Sequence, residues 1–311
     1  MLLARQFRAV LQIQQPTLSL STMHISPEAR TILSDWSTPI FLDVAILLTV
    51  AVYFRGWVFL RKSSRDLISA SRLAAFLAGM FSLWVAIGSP LSAFDEASLT
   101  VHMIQHILLM LVVPPLVLLG APALPFLHAL PQWFVRKTLG PLFRAAPLQS
   151  IGTFLTHPLV CWVLAAVALI GWHVPTAFEL ALRSDFWHEV EHICFLSTSL
   201  LFWWPVVQPY PSEARWPRWA IPVYLFLGMF PSGALGAFLT FCDRLLYSSY
   251  SKGPSVFALT PLEDQIFAGS LMWVFGIFVC LIPAIFITLN MLSPRVFQPG
   301  SAAPSTFQSR G

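Results

Sequence analysis

Seven stretches of this chain are apolar almost without a break, near 39–60, 71–91, 99–120, 157–178, 186–207, 217–241 and 264–290. A helix needs about 20 residues to cross the hydrocarbon layer of a bilayer. Helices also satisfy their own backbone hydrogen bonds where water is absent. The pattern therefore predicts an all-α, polytopic membrane protein with seven transmembrane helices. The seven-span domain is expected over 37–292, between an N-terminal extension over 1–36 and a disordered tail over 293–311 rich in Pro, Ser, Ala, Gln and Gly. Up to Pro27 the extension carries Arg5 and Arg8, several Ser and Thr, and no acid before Glu28. It reads as a flexible segment starting at Met1 or Met23, with an organellar transit peptide as the alternative.

Three departures from the apolar pattern add detail. Pro114-Pro115 removes two amide donors within the third stretch and predicts a kink there. The sixth stretch contains Pro231-Ser232-Gly233-Ala234-Leu235-Gly236-Ala237, a small-residue face that permits close helix approach. Residues 125–148 are too broken by proline and basic residues to span, and read as an amphipathic helix on the inner membrane surface.

Composition agrees with a bilayer. Hydrophobic residues make up 57% of the chain and charged residues only 10%, where a soluble domain carries about 25% charged. The net charge of +4 comes from basic residues spread over loops, which argues against nucleic acid as a partner and for the positive-inside bias. Cys161, Cys194, Cys242 and Cys280 lie in or beside apolar stretches without C-x-x-C spacing, and read as small core hydrophobes.

The loop charges orient the chain. Arg61, Lys62, Arg65 and Arg72 follow the first span, Arg136, Lys137 and Arg144 the third, Arg215 and Arg218 the fifth, and Arg295 and Arg310 the last. The opposite set holds Arg5, Arg8, Arg30, Arg183, Arg244 and Lys252, and the second connection carries Asp95 and Glu96 instead. Eleven basic residues against six place the N-terminus outside and the C-terminus inside. Arg55, inside span one, is expected to snorkel toward the first connection.

Candidate chemistry follows from this threading. His102 and His106 are spaced i, i+4, as are His188 and His192, so each pair shares a helix face. Met110 extends the first pair. Spans three, five and seven enter from outside and span four ends there, which gathers His102, His106, His173, His188 and His192 at one depth with Glu191, Asp264 and Met272. Ionisable groups inside apolar spans are costly, and a cluster of them marks a functional site. Imidazole and thioether suit copper, and two imidazoles also suit haem iron; residue types leave both open. Neutral imidazole is the ligand, so occupancy is expected to fall below about pH 6.5. His188-Glu189-Val190-Glu191-His192 also matches H-E-x-x-H, in which the first glutamate is the general base of a zinc peptidase.

His102-Met103-x-Gln105-His106 followed by Pro114-Pro115-Leu116-x-Leu118-Leu119-Gly120-x-Pro122 resembles the polytopic CtaG family of cytochrome c oxidase assembly factors. The resemblance runs on through Trp172-His173-x-Pro175, Glu191-His192, Phe202-Trp203-Trp204-Pro205, Asp264-Gln265 and Met272-Trp273. This family is distinct from the single-span copper chaperone of the same name. The resemblance implies a seven-span protein of a bacterial plasma membrane that matures a haem–copper oxidase, with oxidase subunits as partners and no catalytic reaction of its own. The family pattern carries a glutamate at the position of Glu191 but not of Glu189, and a glycine pair where this chain has Ala268-Gly269. The expectation is an assembly factor handling copper, or alternatively haem, through His102, His106, His173, His188 and His192, supported by Met110, Glu191, Asp264 and Met272. A metal-free scaffold binding an oxidase subunit is the alternative from another class, and an H-E-x-x-H intramembrane peptidase the third reading.

Overall fold

The computed structural model of the chain describes residues 31, 33–34, 36, 39–63, 69–209, 216–251 and 259–292. Most of the expected N-terminal extension, including Met23, and the expected tail lie outside the described residues. So do Arg5, Arg8, Arg30, Arg65, Arg215, Lys252, Arg295 and Arg310 of the charge count.

The described residues are helical, without strands. Helix α1 covers Ile40–Ser63 and α2 Ala70–Ile87. Helix α3, Leu99–Ile107, continues through a π turn, Leu108–Val112, into α4, Val113–Leu119, as one span. Short helical pieces follow, beginning with α5, Ala123–Ala129; α6 covers Ala146–Leu155. Then come α7 (Pro158–His173), α8 (Pro175–Leu182), α9 (Asp185–Val207), α10 (Ala220–Phe241) and α11 (Pro261–Leu292). Among the described residues six helices are long and apolar enough to cross a membrane, or seven if the bent pair α6–α7 forms one span. Their outer faces carry exposed phenylalanines such as Phe41, Phe81, Phe230 and Phe286, the surface that lipid requires rather than water.

The fourth expected span ends earlier than 178. Val174 precedes Pro175 and takes an extended conformation (φ −62°, ψ 129°), so α7 stops at His173. His157 precedes Pro158 in the same way and breaks α6 from α7 at 65°. Just before Pro114-Pro115 the helix widens into the π turn. Pro114 cannot donate to the Met110 carbonyl four residues back, and Trp203 Nε1 of α9 donates to it instead at 3.1 Å. Residues 125–148 form short helices and do not span.

Close packing at span seven survives the Ala268-Gly269 departure. A Cβ built on Gly236 of α10 would lie 2.7 Å from the Gly269 carbonyl oxygen and the Trp273 amide nitrogen of α11. A Cβ on Gly269 would lie 2.8 Å from the Gly236 carbonyl oxygen. The two backbones touch, as small-residue faces allow. On the other flank, Tyr53 of α1 stacks on Phe76 of α2 (3.7 Å between rings) and donates to the Gly120 carbonyl at 2.8 Å. The Arg55 guanidinium lies 5.7 Å from the Phe59 ring, one turn toward the first connection.

Overpacking a tight contact typically costs about 1–3 kcal/mol. Gly236→Leu is therefore expected to lower the thermal unfolding temperature in detergent. Gly171→Ala, whose Cβ would meet nothing within 4 Å, should leave it unchanged or slightly raised.

Candidate metal centre

The site forms where α3, α9 and α11 begin and α7 ends, and each element is fixed by specific polar contacts. Asp264, in the first turn of α11, holds the start of α3. Its carboxylate accepts from Ser98 Oγ at 3.0 Å, the Leu99 amide at 2.7 Å and the Thr100 amide at 3.1 Å. A carboxylate there satisfies donors that a helix leaves unpaired at its N-terminus and complements the helix dipole. The next residue, Gln265, accepts from the Leu246 amide at 2.8 Å and donates to the Arg244 carbonyl at 3.0 Å, which fixes the loop after α10. Gln105 of α3 donates to the Ala86 carbonyl at 3.0 Å. That oxygen has no donor four residues on, because residue 90 is proline.

Held in this way, α3 presents His102 and His106 to α9, which presents His188, Glu191 and His192 on one face. Glu191 reaches within 3.9 Å of His102 Nε2 and 3.8 Å of His106 Nε2. One donor atom from each of the three lies within 4.8 Å of the others, and all three residues are buried. The His188 ring lies 5.2 Å from that of His102, and the His192 ring 5.7 Å from that of His106. Glu189 is turned about 100° from His188 around the helix and is exposed. Glu189 thus faces away from the imidazoles, and Glu191 is the carboxylate that lies among them.

His173 joins from the far side of His106, with rings 6.0 Å apart. Its Nδ1 pairs with the Leu169 carbonyl at 2.8 Å. A carbonyl only accepts, so Nδ1 carries the proton and Nε2 offers its lone pair. Met110 and Met272 lie deeper, around a cavity of about 70 Å³ that His106 and His173 also line. Asp264 does not face the cluster, because both of its carboxylate oxygens are taken up at the start of α3.

Asp95, counted from sequence only as a loop charge, belongs to the site as well. It is buried in the α2–α3 connection with Oδ2 3.9 Å from His188 Nε2. Burial pushes its carboxyl up to about 7, against a hydrogen bond with Gln105 that pulls it down. An aromatic cover closes this end: Phe178 lies 5.1 Å from His102 and stacks on Tyr247 at 3.9 Å. Tyr247 donates to the His173 carbonyl and Tyr250 to the Asp95 carbonyl. Glu179 secures the cover, accepting from Ser248 Oγ, the Ser249 amide and Ser249 Oγ. No spacing in the sequence pointed to Asp95 or the tyrosines, since their partners lie far away along the chain.

Nine side-chain atoms converge here without a hydrogen-bond partner among the described residues: both nitrogens of His102 and His106, both oxygens of Glu191, and Nε2 of His173, His188 and His192. Each unpaired buried polar group costs about 1–3 kcal/mol. Together these rival the whole stability of a domain, about 5–15 kcal/mol. The donor set of imidazoles and one carboxylate fits a metal ion, which would pair several of these atoms at once.

The family described as cytochrome c oxidase caa3 assembly factor matches residues 51–293, and the chain belongs to that family. It is 24% identical over 257 residues to an uncharacterized protein of Mycobacterium bovis, covering 79% of this chain and 38% of that protein. It is 26% identical over 232 residues to an uncharacterized protein of Mycobacterium leprae, covering 74% of this chain and 35% of that protein. The chain thus spans little more than a third of the length of these relatives. No solved structure gives a significant match.

Two outcomes follow from this geometry. Hydrogen bonds to a charged group contribute about 1.5–3 kcal/mol, so Asp264→Asn should destabilise the protein by about that much in detergent unfolding. At Glu179 burial raises the carboxyl's pKa, but the donors from Ser249 and Ser248, with Arg183, outweigh it and leave the group below its ordinary 4.5. A lowered folded value means the docking holds above 4.5 and is lost as pH falls below it. Hydrogen exchange at the Ser249 amide should accelerate over that range, and should be fast at every pH in Glu179→Gln.

Proposed function

We propose that this chain serves the maturation of a caa3-type cytochrome c oxidase in a bacterial plasma membrane by holding copper at the His–Glu centre. The observation that carries the reading is the convergence of His102, His106 and Glu191, buried and unpartnered. His188 and His192 close the set from α9. A haem–copper oxidase needs copper delivered to it, and an imidazole-rich site bordered by thioethers suits that metal. The positive-inside bias supports placing the centre at the outer face. A single ion suits the site better than haem, because imidazoles of α3 and α9 only 5.2 and 5.7 Å apart, with Glu191 between the helices, leave no flat slot for a macrocycle. The role is binding and handing over rather than catalysis, and oxidase subunits are the partners it implies.

Metal and haem analysis of the purified protein tests this. Wild type is expected to carry copper, and His102→Ala/His106→Ala to lose it. Glu191→Gln should weaken the affinity of the His–Glu centre at least tenfold while Glu189→Gln leaves it unchanged. Equal copper in wild type and the double variant would overturn the ligand assignment. Impaired binding of an oxidase subunit with unchanged metal content would favour the metal-free scaffold.

A further inference from the structure

The cavity below the imidazoles differs in chemistry from the centre above it. It is lined by Met110, His173 and Met272, with His106 at the border and Cys280 further along α11. Among the described residues no carboxylate lines it. Its volume of about 70 Å³ exceeds the roughly 10–15 Å³ needed for a single water. Among its lining residues, both ring nitrogens of His106, Trp162 Nε1 and His173 Nε2 are buried without a hydrogen-bond partner, and His173 Nε2 offers a lone pair because the proton sits on Nδ1, paired with the Leu169 carbonyl.

Helix geometry sets His106 and Met272 at a similar depth, with Met110 about one turn further in. Asp264 bonds the first amides of α3, so α11 and α3 start level. At 1.5 Å per residue, Met272 lies about 12 Å inward of Asp264 and His106 about 10 Å inward of Leu99. Met110 is four residues, or about 6 Å, beyond His106. Met110 packs against the core cluster that holds both Met272 and Leu169.

We propose that His173 Nε2 and the thioethers of Met110 and Met272 form a second binding set, selective for a soft monovalent ion, Cu(I), inward of the His–Glu centre. Thioether sulfur prefers Cu(I), whereas Cu(II) and zinc prefer nitrogen and oxygen. The charge on the ion decides in the same direction. Desolvation cost rises with the square of charge, so a monovalent ion costs about a quarter as much as a divalent one to hold among uncharged donors. Glu191 supplies the negative charge at the upper centre, and this set has none. His106 borders both and places them side by side.

The proposal rests on the copper reading above, and the test separates the two. The full-length protein in detergent is titrated anaerobically with Cu(I) against a chromogenic chelator, and with Ag(I) as a closed-shell probe. X-ray absorption on the Cu(I)-loaded wild type reads the ligands without any substitution. Wild type is expected to bind two ions and to show sulfur scattering. Met110→Leu/Met272→Leu, which keeps side-chain volume, should lose one ion by at least tenfold in affinity, together with the sulfur signal, and keep the other. Glu191→Gln should weaken the other ion and keep the sulfur signal. Copper bound in wild type with only nitrogen and oxygen ligands, or Leu variants that titrate like wild type, would overturn this proposal alone. No copper at either set would overturn the copper reading with it.

Discussion

The rest of the structure depends on the burial of unpaired polar atoms at one end of an apolar bundle. Imidazole and carboxylate groups are costly to remove from water, and here they are removed without partners from the protein itself. Such an arrangement collapses onto itself unless its helices are held by other means. The contacts around the cluster supply those means. Asp264 and Ser98 hold the start of α3, Gln265 the loop after α10, and Gln105 the end of α2. None of these uses an imidazole, so the imidazoles stay clear of the contacts that hold the helices.

Proline takes part in the same division of labour. Residue 90 and Pro114 each deprive a carbonyl of its helical donor, and a side chain of another helix donates to it: Gln105 to Ala86, Trp203 to Met110. Each missing bond inside a helix thus becomes a bond between helices, directional where apolar packing is not. Pro175 acts differently. It stops α7 at His173, and the freed His173 carbonyl receives the Tyr247 hydroxyl. The aromatic cover is thereby fastened to the helix that carries one of the candidate ligands.

Much of this was legible in the chain because membrane helices are read from composition and length. The i, i+4 pairs at 102/106 and 188/192 place their side chains on one face regardless of context, and the structure brings both faces together. The placement of Glu191 rather than Glu189 beside the imidazoles was legible only through the family resemblance, since either could face inward until the rotation of α9 was known. Asp264 illustrates the limit in the other direction. Threading places it at the level of the imidazoles, but depth does not say which groups an acid meets, and it meets the amides of α3 rather than the imidazoles. Asp95 was missed because it stands outside any periodic segment. Its burial depends on Tyr250 folding back over a connection 155 residues earlier in sequence.

The donors change character along the bundle axis. At the end closed by the aromatic cover they are carboxylates and imidazoles, Asp95, His188, Glu191 and His102, and deeper they become thioethers, Met110 and Met272. Charge falls in the same direction, from two acids to none among the cavity-lining residues. That ordering follows from solvation. An anionic ligand is tolerable near the interface, where water and loop dipoles can reach it, and becomes prohibitive toward the hydrocarbon centre. Neutral sulfur carries no such cost at any depth. A membrane protein that binds ions progressively deeper is therefore driven toward soft, uncharged ligands, and those ligands select ions that are themselves soft and carry low charge.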